Sequence, residues 1–532
     1  MTISPFTIKE KVQTAAFLPW LALVISLIDR VHLLFNFQFD IADIDQMILW
    51  HGVKDYAAGI FHEPFFYGQD YNLMVEAFLA VPLIWLGIKP QVALPIITLL
   101  LSLLPFILFG IFFLRQQNLI AATLLFAWPA FMPIEYTMIA SMPRGFVSGI
   151  AVASLASFCL QNPSSIWSNV WLAIVAPVSL WICPNSSILL AFIVPYLWTK
   201  NWKRWQFYVL PSVMLILVFI LNTAAKNFYE QSQEWRVHSP WNAYKGVWII
   251  GAFKSMEIDA MHKYLMPLLS THGIAVLPAL IMLAIIAVRK NKPVALGLTF
   301  CVLACLAALG HSRIYSGLDH VFFSYTRNWL SVPIVMALSV GLLINKNLGR
   351  VWLLSAIILA ASANMLLKSN QLQTIKVDLL QDGINRIVPY NSLSSIESRC
   401  NLIDSVADRH AADIVLFVPG HINSERVSQY YHLGCPILTS NFPPSTISKG
   451  DRLTWNFGDL GNQQHEKILV YGGVQLDWIP EGVEKEHLHS DPMMILISNY
   501  DGTLFDLIEA MDLDRNKKRI EGLRKKPDMV SP

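Results

Sequence analysis

The membrane topology of this chain depends on one stretch, Phe65-Phe-Tyr-Gly-Gln-Asp-Tyr-Asn-Leu-Met-Val-Glu76-Ala-Phe-Leu-Ala-Val-Pro82. Its second half opens an apolar run, residues 73–88, that is shorter than the ~20 residues a membrane span needs. The run also contains a carboxylate, Glu76, and a proline, Pro82. These features are typical of a helix that lies along the membrane surface or re-enters it. We therefore predict that residues 73–88 do not cross the membrane.

Composition places the rest of the N-terminal two thirds in a membrane. The 532 residues are 54% hydrophobic and 14% charged, whereas soluble domains carry roughly 25% charged residues. The formal net charge of +2 gives no indication of nucleic-acid binding. The first apolar run, residues 14–34, has no small-residue cleavage site after it, so we interpret it as a retained helix.

Basic clusters orient the apolar runs. Eleven runs are predicted to span the membrane: 14–34, 91–114, 119–134, 145–160, 165–182, 187–199, 206–222, 265–288, 293–310, 329–345 and 351–367. If these runs alternate in direction, every Lys/Arg cluster lies on one side, which the positive-inside rule identifies as the cytoplasm. The predicted fold class is a polytopic α-helical membrane domain, residues 1–367, of about eleven transmembrane helices. The short runs 145–160 and 187–199 can alternatively form a partly re-entrant pair.

The same topology predicts three regions on the outer side. The first outer loop, residues 35–90, would carry two surface helices, and the second, residues 223–264, is rich in tryptophan. Residues 368–532 would form an outer, periplasmic or extracellular domain large enough for its own core.

The outer domain has the pattern of a small α/β fold. A helical stretch near 393–409 precedes predicted strands at 412–419, 468–471 and 494–498. Cys400 and Cys435 lie in this domain and form either a disulfide or two free thiols.

The first outer loop resembles a known family in the order of its motifs. An acidic pair, here Asp45-Gln46, is followed by Phe-Phe-Tyr-Gly-Gln-x-Tyr at residues 65–71 and by a glutamate, Glu76, that opens an Ala/Leu/Pro helix. Over residues 40–85 the chain is similar to bacterial members of the GT-C glycosyltransferases, the superfamily of protein O-mannosyltransferases and aminoarabinose transferases. Many members have Asp-Glu where this chain has Asp45-Gln46, which leaves open which acid is the base.

The resemblance implies a GT-C-like fold, an activity and a location. Such enzymes transfer a sugar from a polyprenyl-phosphate donor to a glycan, lipid or protein acceptor, usually with inversion. The expected activity is that of a hexosyl- or pentosyltransferase in the bacterial plasma (inner) membrane, with its site facing outward.

Two other functions stay open. A transporter or flippase of lipid-linked sugars is disfavoured because the predicted spans contain few charged residues. A catalytically silent relative that binds such lipids is suggested by Gln46, which stands where an acid is common.

Sugar transfer needs a base for the acceptor hydroxyl. Asp45 is the candidate, because a carboxylate in a partly dehydrated site can have its pKa raised toward the working pH. Asp43 is a second candidate, and Glu76 is expected to support Asp45 or to bind the acceptor. Each has a structural alternative: Asp43 and Asp45 as helix caps, and Glu76 on the solvated face of a surface helix.

Tyrosine and amide side chains are the candidate sugar ligands. Tyr67, Gln69 and Tyr71 can bind sugar hydroxyls through hydrogen bonds and aromatic faces, or the tyrosines can anchor the loop at the membrane interface. His62 is a further substrate-binding candidate. No cofactor is predicted to be required. A divalent cation held by His51, His62 and Glu63 with Asp43 or Asp45 stays open, although no tight ligand spacing supports it.

Three arginines are the candidate phosphate ligands. Arg144, Arg313 and Arg327 fall near the outer ends of predicted spans. A guanidinium suits phosphate because it can bind two oxygens at once. The alternative is that these side chains extend to lipid headgroups.

Overall fold

The computed structural model describes residues 8–231, 267, 276–310, 329–344, 351–381, 391–418, 433–448, 453–472, 474, 476–490 and 493–511. The chain forms two compact units. Unit 1 comprises Met1–Gln38, Pro95–Asn222 and Asn242–Thr374. Unit 2 comprises Phe39–Leu94, Thr223–Trp241 and Ile375–Pro532.

Helices account for most of the described chain. In chain order they are α1 Ile8–Leu33, α2 Ile44–Ala57, α3 Val75–Trp85, α4 Pro90–Arg115, α5 Leu119–Phe131, α6 Ile134–Ser141, α7 Ser148–Ser154, α8 Ser157–Gln161, α9 Ile166–Ile182, α10 Ser187–Asn201, α11 Gln206–Gln231, α12 Val276–Lys290, α13 Lys292–Ala308, α14 Val332–Leu343, α15 Val351–Gln381, α16 Leu393–His410, α17 Cys435–Leu438, α18 Thr454–Gly461 and α19 Leu504–Ala510. A π-helical turn, Leu34–Gln38, extends α1.

The predicted apolar runs all contain helix, and the described residues include four helices long and apolar enough to cross a membrane. These are Phe17–Gln38, Pro90–Arg115, Gln206–Gln231 and Val351–Val377. A fifth candidate is the pair α5 and α6, which are bent by 90°. The count of eleven spans therefore stays a prediction. The run 73–88 forms only the 11-residue helix α3.

The bend between α5 and α6 has a local cause. Pro133 follows Met132, which is extended, with φ −69° and ψ 148°. The residue before a proline is disfavoured in the helical region, because the proline ring collides with its backbone. The run predicted as one span, residues 119–134, is therefore two helices with a proline at the corner.

Small side chains allow the helices of unit 1 to pack closely. Ala22 of α1 and Ala130 of α5 belong to one buried cluster with side chains of α15. Ser26 Oγ donates a hydrogen bond to the carbonyl of Phe126 at 2.6 Å, and Asn364 Nδ2 donates to the carbonyl of Ala130 at 2.7 Å. Interfaces of small residues with polar bridges are typical of helices packed in a membrane.

Unit 2 is an α/β structure. Its strands are β1 Ile41–Ala42, β2 Asn391–Ser392, β3 Ile414–Val418, β4 Ser445–Ile447, β5 Lys467–Gly472, β6 Glu484–Ser490 and β7 Met493–Ser498. The larger sheet has the order β4-β3-β5-β7-β6. Strand β3 is parallel to both neighbours, and β7 is antiparallel to both of its own. The three predicted strands are thus confirmed, whereas β4 and β6 were not predicted.

The core of this sheet explains its strand pattern. Every residue of β3 is buried, as expected for a central parallel strand covered on both faces. Phe457 of α18 and Phe505 of α19 pack with it in one apolar cluster. Their rings lie 5.0 Å apart in an edge-on arrangement.

Residues Phe39–Leu94 belong to the same unit as the C-terminal sheet. Strand β1 pairs with β2 in antiparallel fashion, with Ile41 opposite Ser392. The Leu393 N–H donates to the carbonyl of Asp40 at 2.7 Å, and the Asp40 carboxylate pairs with Lys376. The segment before Asp43 is therefore joined to residues of the C-terminal part of unit 2.

A disulfide joins two helices of the C-terminal domain. Cys400 of α16 is bonded to Cys435 of α17, a separation of 35 residues. Of the two alternatives left open by the sequence, the structure has the disulfide. The other four cysteines are buried and form no disulfide.

Candidate functional site

The predicted acids Asp43 and Asp45 lie where helix α2 begins. Asp43 is the N-cap, and its carboxylate accepts a hydrogen bond from the Gln46 N–H at 3.0 Å. Asp43 is fully buried, whereas Asp45, in the first turn, is half-buried. The capping alternative thus describes Asp43, and Asp45 is the more accessible carboxylate of the two.

Glu76 lies in the first turn of α3 and is fully buried. Its burial excludes the alternative that it belongs to a solvated helix face. A negative charge there is favoured by the partial positive charge of the helix N-terminus.

A carboxylate that the sequence analysis did not select, Asp55, is the centre of a polar cluster. Tyr67 Oη donates a hydrogen bond to its Oδ2 at 2.9 Å. His62 Nε2 lies 3.8 Å from the same oxygen. Burial raises the pKa of Asp55 to about 6, against the opposing effects of Tyr67 and Lys54. Asp55 is therefore a carboxylate whose pKa lies close to neutral pH.

Aromatic packing fixes the orientation of the His62 ring. It stacks on Trp455 of α18 with centroids 4.1 Å apart and planes inclined by 11°. Tyr67 meets the same indole edge-on at 4.5 Å. Burial lowers the pKa of His62, which favours its neutral form. A neutral imidazole beside Asp55 can act as either a hydrogen-bond donor or an acceptor.

A second buried carboxyl, Glu63, is engaged on both oxygens. The Gly68 N–H donates to Oε2 at 3.0 Å and to Oε1 at 3.3 Å, and the Tyr229 hydroxyl donates to Oε2 at 3.1 Å. Burial raises its pKa to about 8, although both hydrogen bonds oppose the rise. Glu63 is therefore mostly protonated at neutral pH. The Phe65 ring stacks on Tyr229 at 6.4 Å, which further ties this loop to the end of α11.

The predicted sugar ligands fall in different environments. Tyr67 is fully buried, and its hydroxyl proton is donated to Asp55. Gln69 and Tyr71 are half-buried. The structure thus assigns Tyr67 to the support of Asp55 and leaves Gln69 and Tyr71 partly accessible.

The sequence left open a divalent cation held by His51, His62 and Glu63 with Asp43 or Asp45. Among the residues that the structure describes, no three His, Cys, Asp or Glu side chains are grouped so that they could hold a metal ion. His51 Nε2 instead donates to the carbonyl of Leu433 at 2.6 Å. Burial lowers the pKa of His51 to about 4, so its ring stays neutral.

Of the three predicted phosphate ligands, the structure describes one. Arg144 is 2% exposed, and its guanidinium lies 5.9 Å from the centre of the Phe146 ring. Arg313 and Arg327 lie outside the described residues. Arg144 belongs to unit 1.

Sequence reasoning missed a second set of buried charges in unit 1. Asp29 and Lys368 form an ion pair at 2.7 Å, with 6% and 3% of their side chains exposed. Arg30, next to Asp29, is fully buried. Asp29 and Arg30 lie inside the predicted span 14–34, and Lys368 directly follows the predicted span 351–367. The signal was present in the first apolar run, since Asp-Arg inside a span is rare and usually functional.

The comparisons with known proteins identify a fold. No protein-family model matches the sequence, and no curated protein matches it. The structure is similar to the crystal structure of ArnT from Cupriavidus metallidurans in the apo state, with a TM-score of 0.53 and 12% sequence identity. The match covers 90% of this chain and 97% of that one.

At this identity the likeness is one of fold. The structure therefore has a fold similar to that of ArnT, and membership of the GT-C superfamily stays a proposal. With several helices long and apolar enough to cross a membrane, the chain is a multi-pass membrane protein. The subgroup, the donor and the roles of individual residues stay predictions.

Proposed function

We propose that this chain is an inverting glycosyltransferase that uses a polyprenyl-phosphate sugar and acts at the outer face of the bacterial plasma membrane. The observation that carries the proposal is the fold similarity to ArnT over 90% of the chain. The acidic segment that begins at Asp43 supports it, because a transferase of this kind needs a carboxylate outside the membrane.

The proposed reaction is a single displacement. The acceptor oxygen attacks the anomeric carbon of the sugar while its proton passes to a carboxylate. The bond between that carbon and the phosphate oxygen breaks, and polyprenyl phosphate leaves with the bonding electrons. Phosphate is a weak base, so no strong general acid is required.

Asp45 is the proposed base, and Asp55 is its competitor. Asp45 is the half-buried carboxylate of the α2 N-terminus. Asp55 competes because its pKa of about 6 lies near the working pH, which suits a general base. Asp43 is assigned to holding the start of α2, and Glu76 to a supporting role.

Arginine is the proposed phosphate ligand. Arg144 keeps this role from the sequence analysis, and Arg30 joins it because a fully buried guanidinium calls for an anion. Lys368 already pairs with Asp29, so we assign it to charge balance. Arg313 and Arg327 stay candidates on sequence grounds.

The test is transfer from a panel of radiolabelled polyprenyl-phosphate sugars by purified protein in membranes that contain a native lipid extract. We expect the wild type to transfer one sugar and Asp45→Asn to lose at least ~100-fold, the scale of a missing general base. Asp55→Asn is measured beside it, with Asp477→Asn, an exposed carboxylate of the outer domain, as the control. Normal transfer by Asp45→Asn with loss in Asp55→Asn would move the base to Asp55.

The buried charges favour one other function. Asp29, Arg30 and Lys368 lie within helices α1 and α15, and intramembrane charges often mark a translocation path. A flippase would move a fluorescent lipid-linked sugar across proteoliposomes without forming a new glycosidic bond. That result would show that the protein is a transporter and would contradict the proposed transferase activity.

A further inference from the structure

The loop between Phe66 and Asn72 closes on itself through its backbone. The Phe66 N–H donates to the carbonyl of Asn72 at 2.7 Å, and the Gln69 N–H donates to the carbonyl of Phe66 at 2.7 Å. Gly68, with φ +77°, makes the turn and donates its N–H to Glu63. The backbone of the loop is thus held by bonds that do not involve the side-chain oxygens of Gln69 and Asn72.

Two amide oxygens in this loop have no protein donor. They are Gln69 Oε1 and Asn72 Oδ1, and both atoms are buried. Asn72 as a whole is 7% exposed. A buried carbonyl oxygen that lacks a donor raises the free energy of the folded state.

The backbone adds to the cost at Asn72. Its φ is +62°, a left-handed conformation that glycine adopts freely and that other residues adopt with strain. Asparagine often stabilises this conformation through local hydrogen bonds of its side chain. The side-chain oxygen of Asn72 accepts no such hydrogen bond. Glycine at this position would therefore give a more stable folded state in the absence of a ligand.

Asn499 is a natural comparison within the same unit. It has φ +54°, but it is exposed, and its Nδ2 donates to Glu484 Oε2 at 2.8 Å. The left-handed conformation alone therefore does not produce a buried amide oxygen without a donor.

We propose that Gln69 Oε1 and Asn72 Oδ1 form a subsite that accepts hydrogen bonds from hydroxyl groups of a sugar. Sugar hydroxyls can donate hydrogen bonds to amide oxygens, and two such oxygens in one loop can bind two hydroxyls of the same sugar. The subsite deepens the proposed function, on which it rests for the source of the sugar. It requires free hydroxyls where the sugar meets the loop, so deoxy and O-methylated sugars are poor ligands.

The test separates sugar recognition from lipid binding. Full-length protein in nanodiscs is titrated with a panel of polyprenyl-phosphate sugars, with bare polyprenyl phosphate, and with soluble oligosaccharides. Asn72→Gly is expected to weaken the best sugar-bearing ligand by about two- to ten-fold, the effect of one neutral hydrogen bond. Binding of bare polyprenyl phosphate stays unchanged. Gln69→Met is expected to behave in the same way, and Asn499→Gly is the matched control.

Substitution at the ligand gives an independent check. A deoxy sugar that lacks the recognised hydroxyl should bind the wild type more weakly by the same factor, with no further loss in Asn72→Gly. The melting temperature of Asn72→Gly should be equal to or above that of the wild type, because the variant loses a strained residue and an unbonded oxygen.

The outcomes distinguish the two proposals. If Asn72→Gly weakens the binding of soluble oligosaccharides alone, the result supports the subsite and indicates that it binds the acceptor sugar. Unchanged affinities in Asn72→Gly, or a lowered melting temperature with sugar binding intact, overturn the subsite, since the oxygen would then serve only the fold. Saccharide recognition that depends on Asn72 without covalent transfer counts against the transferase alone.

Discussion

At the residue scale, burial changes the chemistry of the carboxyl groups in unit 2 more than sequence position does. Asp55 and Glu63 are separated by only eight positions, yet burial raises the pKa of the first to about 6 and that of the second to about 8. Near pH 7, Asp55 at the end of α2 is therefore mostly ionised, whereas Glu63 in the segment that follows is mostly protonated. Two carboxyl groups whose environments separate their pKa values can have different roles, one in proton transfer and the other in structural support.

Glu63 should make stability depend on pH. Its folded pKa is raised above the usual value, so the folded state binds the proton more tightly than the unfolded state. Stability is then fully present below pH ~4.5 and is lost as the pH rises toward ~8. Glu63→Gln keeps a carbonyl acceptor for Gly68 and Tyr229 but cannot ionise. We therefore predict that this variant does not show the fall in stability that ionisation of Glu63 causes as the pH rises.

The measurement is the melting temperature of both proteins between pH 5 and pH 9. The difference between wild type and Glu63→Gln should widen as the pH rises. Parallel curves would contradict the buried, protonated state. Glu484→Gln, an exposed glutamate of β6, is the control.

At the element scale, close approach of helices depends on single glycines. Helix α13 passes α10 at Gly297, where an added Cβ would lie 2.7 Å from the carbonyl oxygen of Phe192. Backbone cannot move aside as a side chain can. We predict that Gly297→Ala destabilises the protein by roughly 1–3 kcal/mol, the cost of overpacking.

Gly52 is the matched control for this prediction. A Cβ there would meet the flexible end of Met74, so Gly52→Ala should be tolerated better. The melting temperatures of the two variants, measured by thermal denaturation in detergent, compare them. Equal melting temperatures would show that α10 and α13 do not rely on this contact.

The disulfide is the second device at this scale. It links α16 to α17 and closes a loop of 35 residues, which in the chain-entropy account stabilises by roughly 3–4 kcal/mol. We predict that the Cys400→Ser/Cys435→Ser double variant lowers the melting temperature under oxidising conditions. A reductant should lower that of the wild type and leave the variant unchanged. Cys301→Ala, which removes a free thiol, is the control.

At the scale of the whole molecule, the topology predicts which residues face each side of the membrane. Asp477 belongs to the outer domain, and Lys290 closes α12 beside a basic cluster. We expect Asp477→Cys to react with a membrane-impermeant maleimide in intact cells. Lys290→Cys should react only after lysis. The reverse pattern would invert the predicted orientation.

The sequence alone determined the segments of this protein. Span-length apolar runs predicted where the helices lie, since a helix in lipid must be apolar along its length. Short, continuous apolar runs likewise predicted β3, β5 and β7. The resemblance over residues 40–85 predicted a GT-C-like architecture, and the structure shows a fold similar to that of ArnT.

Only the tertiary structure decided which residues share an environment. It gave Asp43 to a helix cap, paired Tyr67 with Asp55 and engaged Glu63 with Tyr229, a residue 166 positions away. Burial and long-range contacts set these roles, and neither can be read from local spacing. Hydrophobic pattern is a property of the chain, whereas the pKa of a carboxyl depends on which distant segments fold around it.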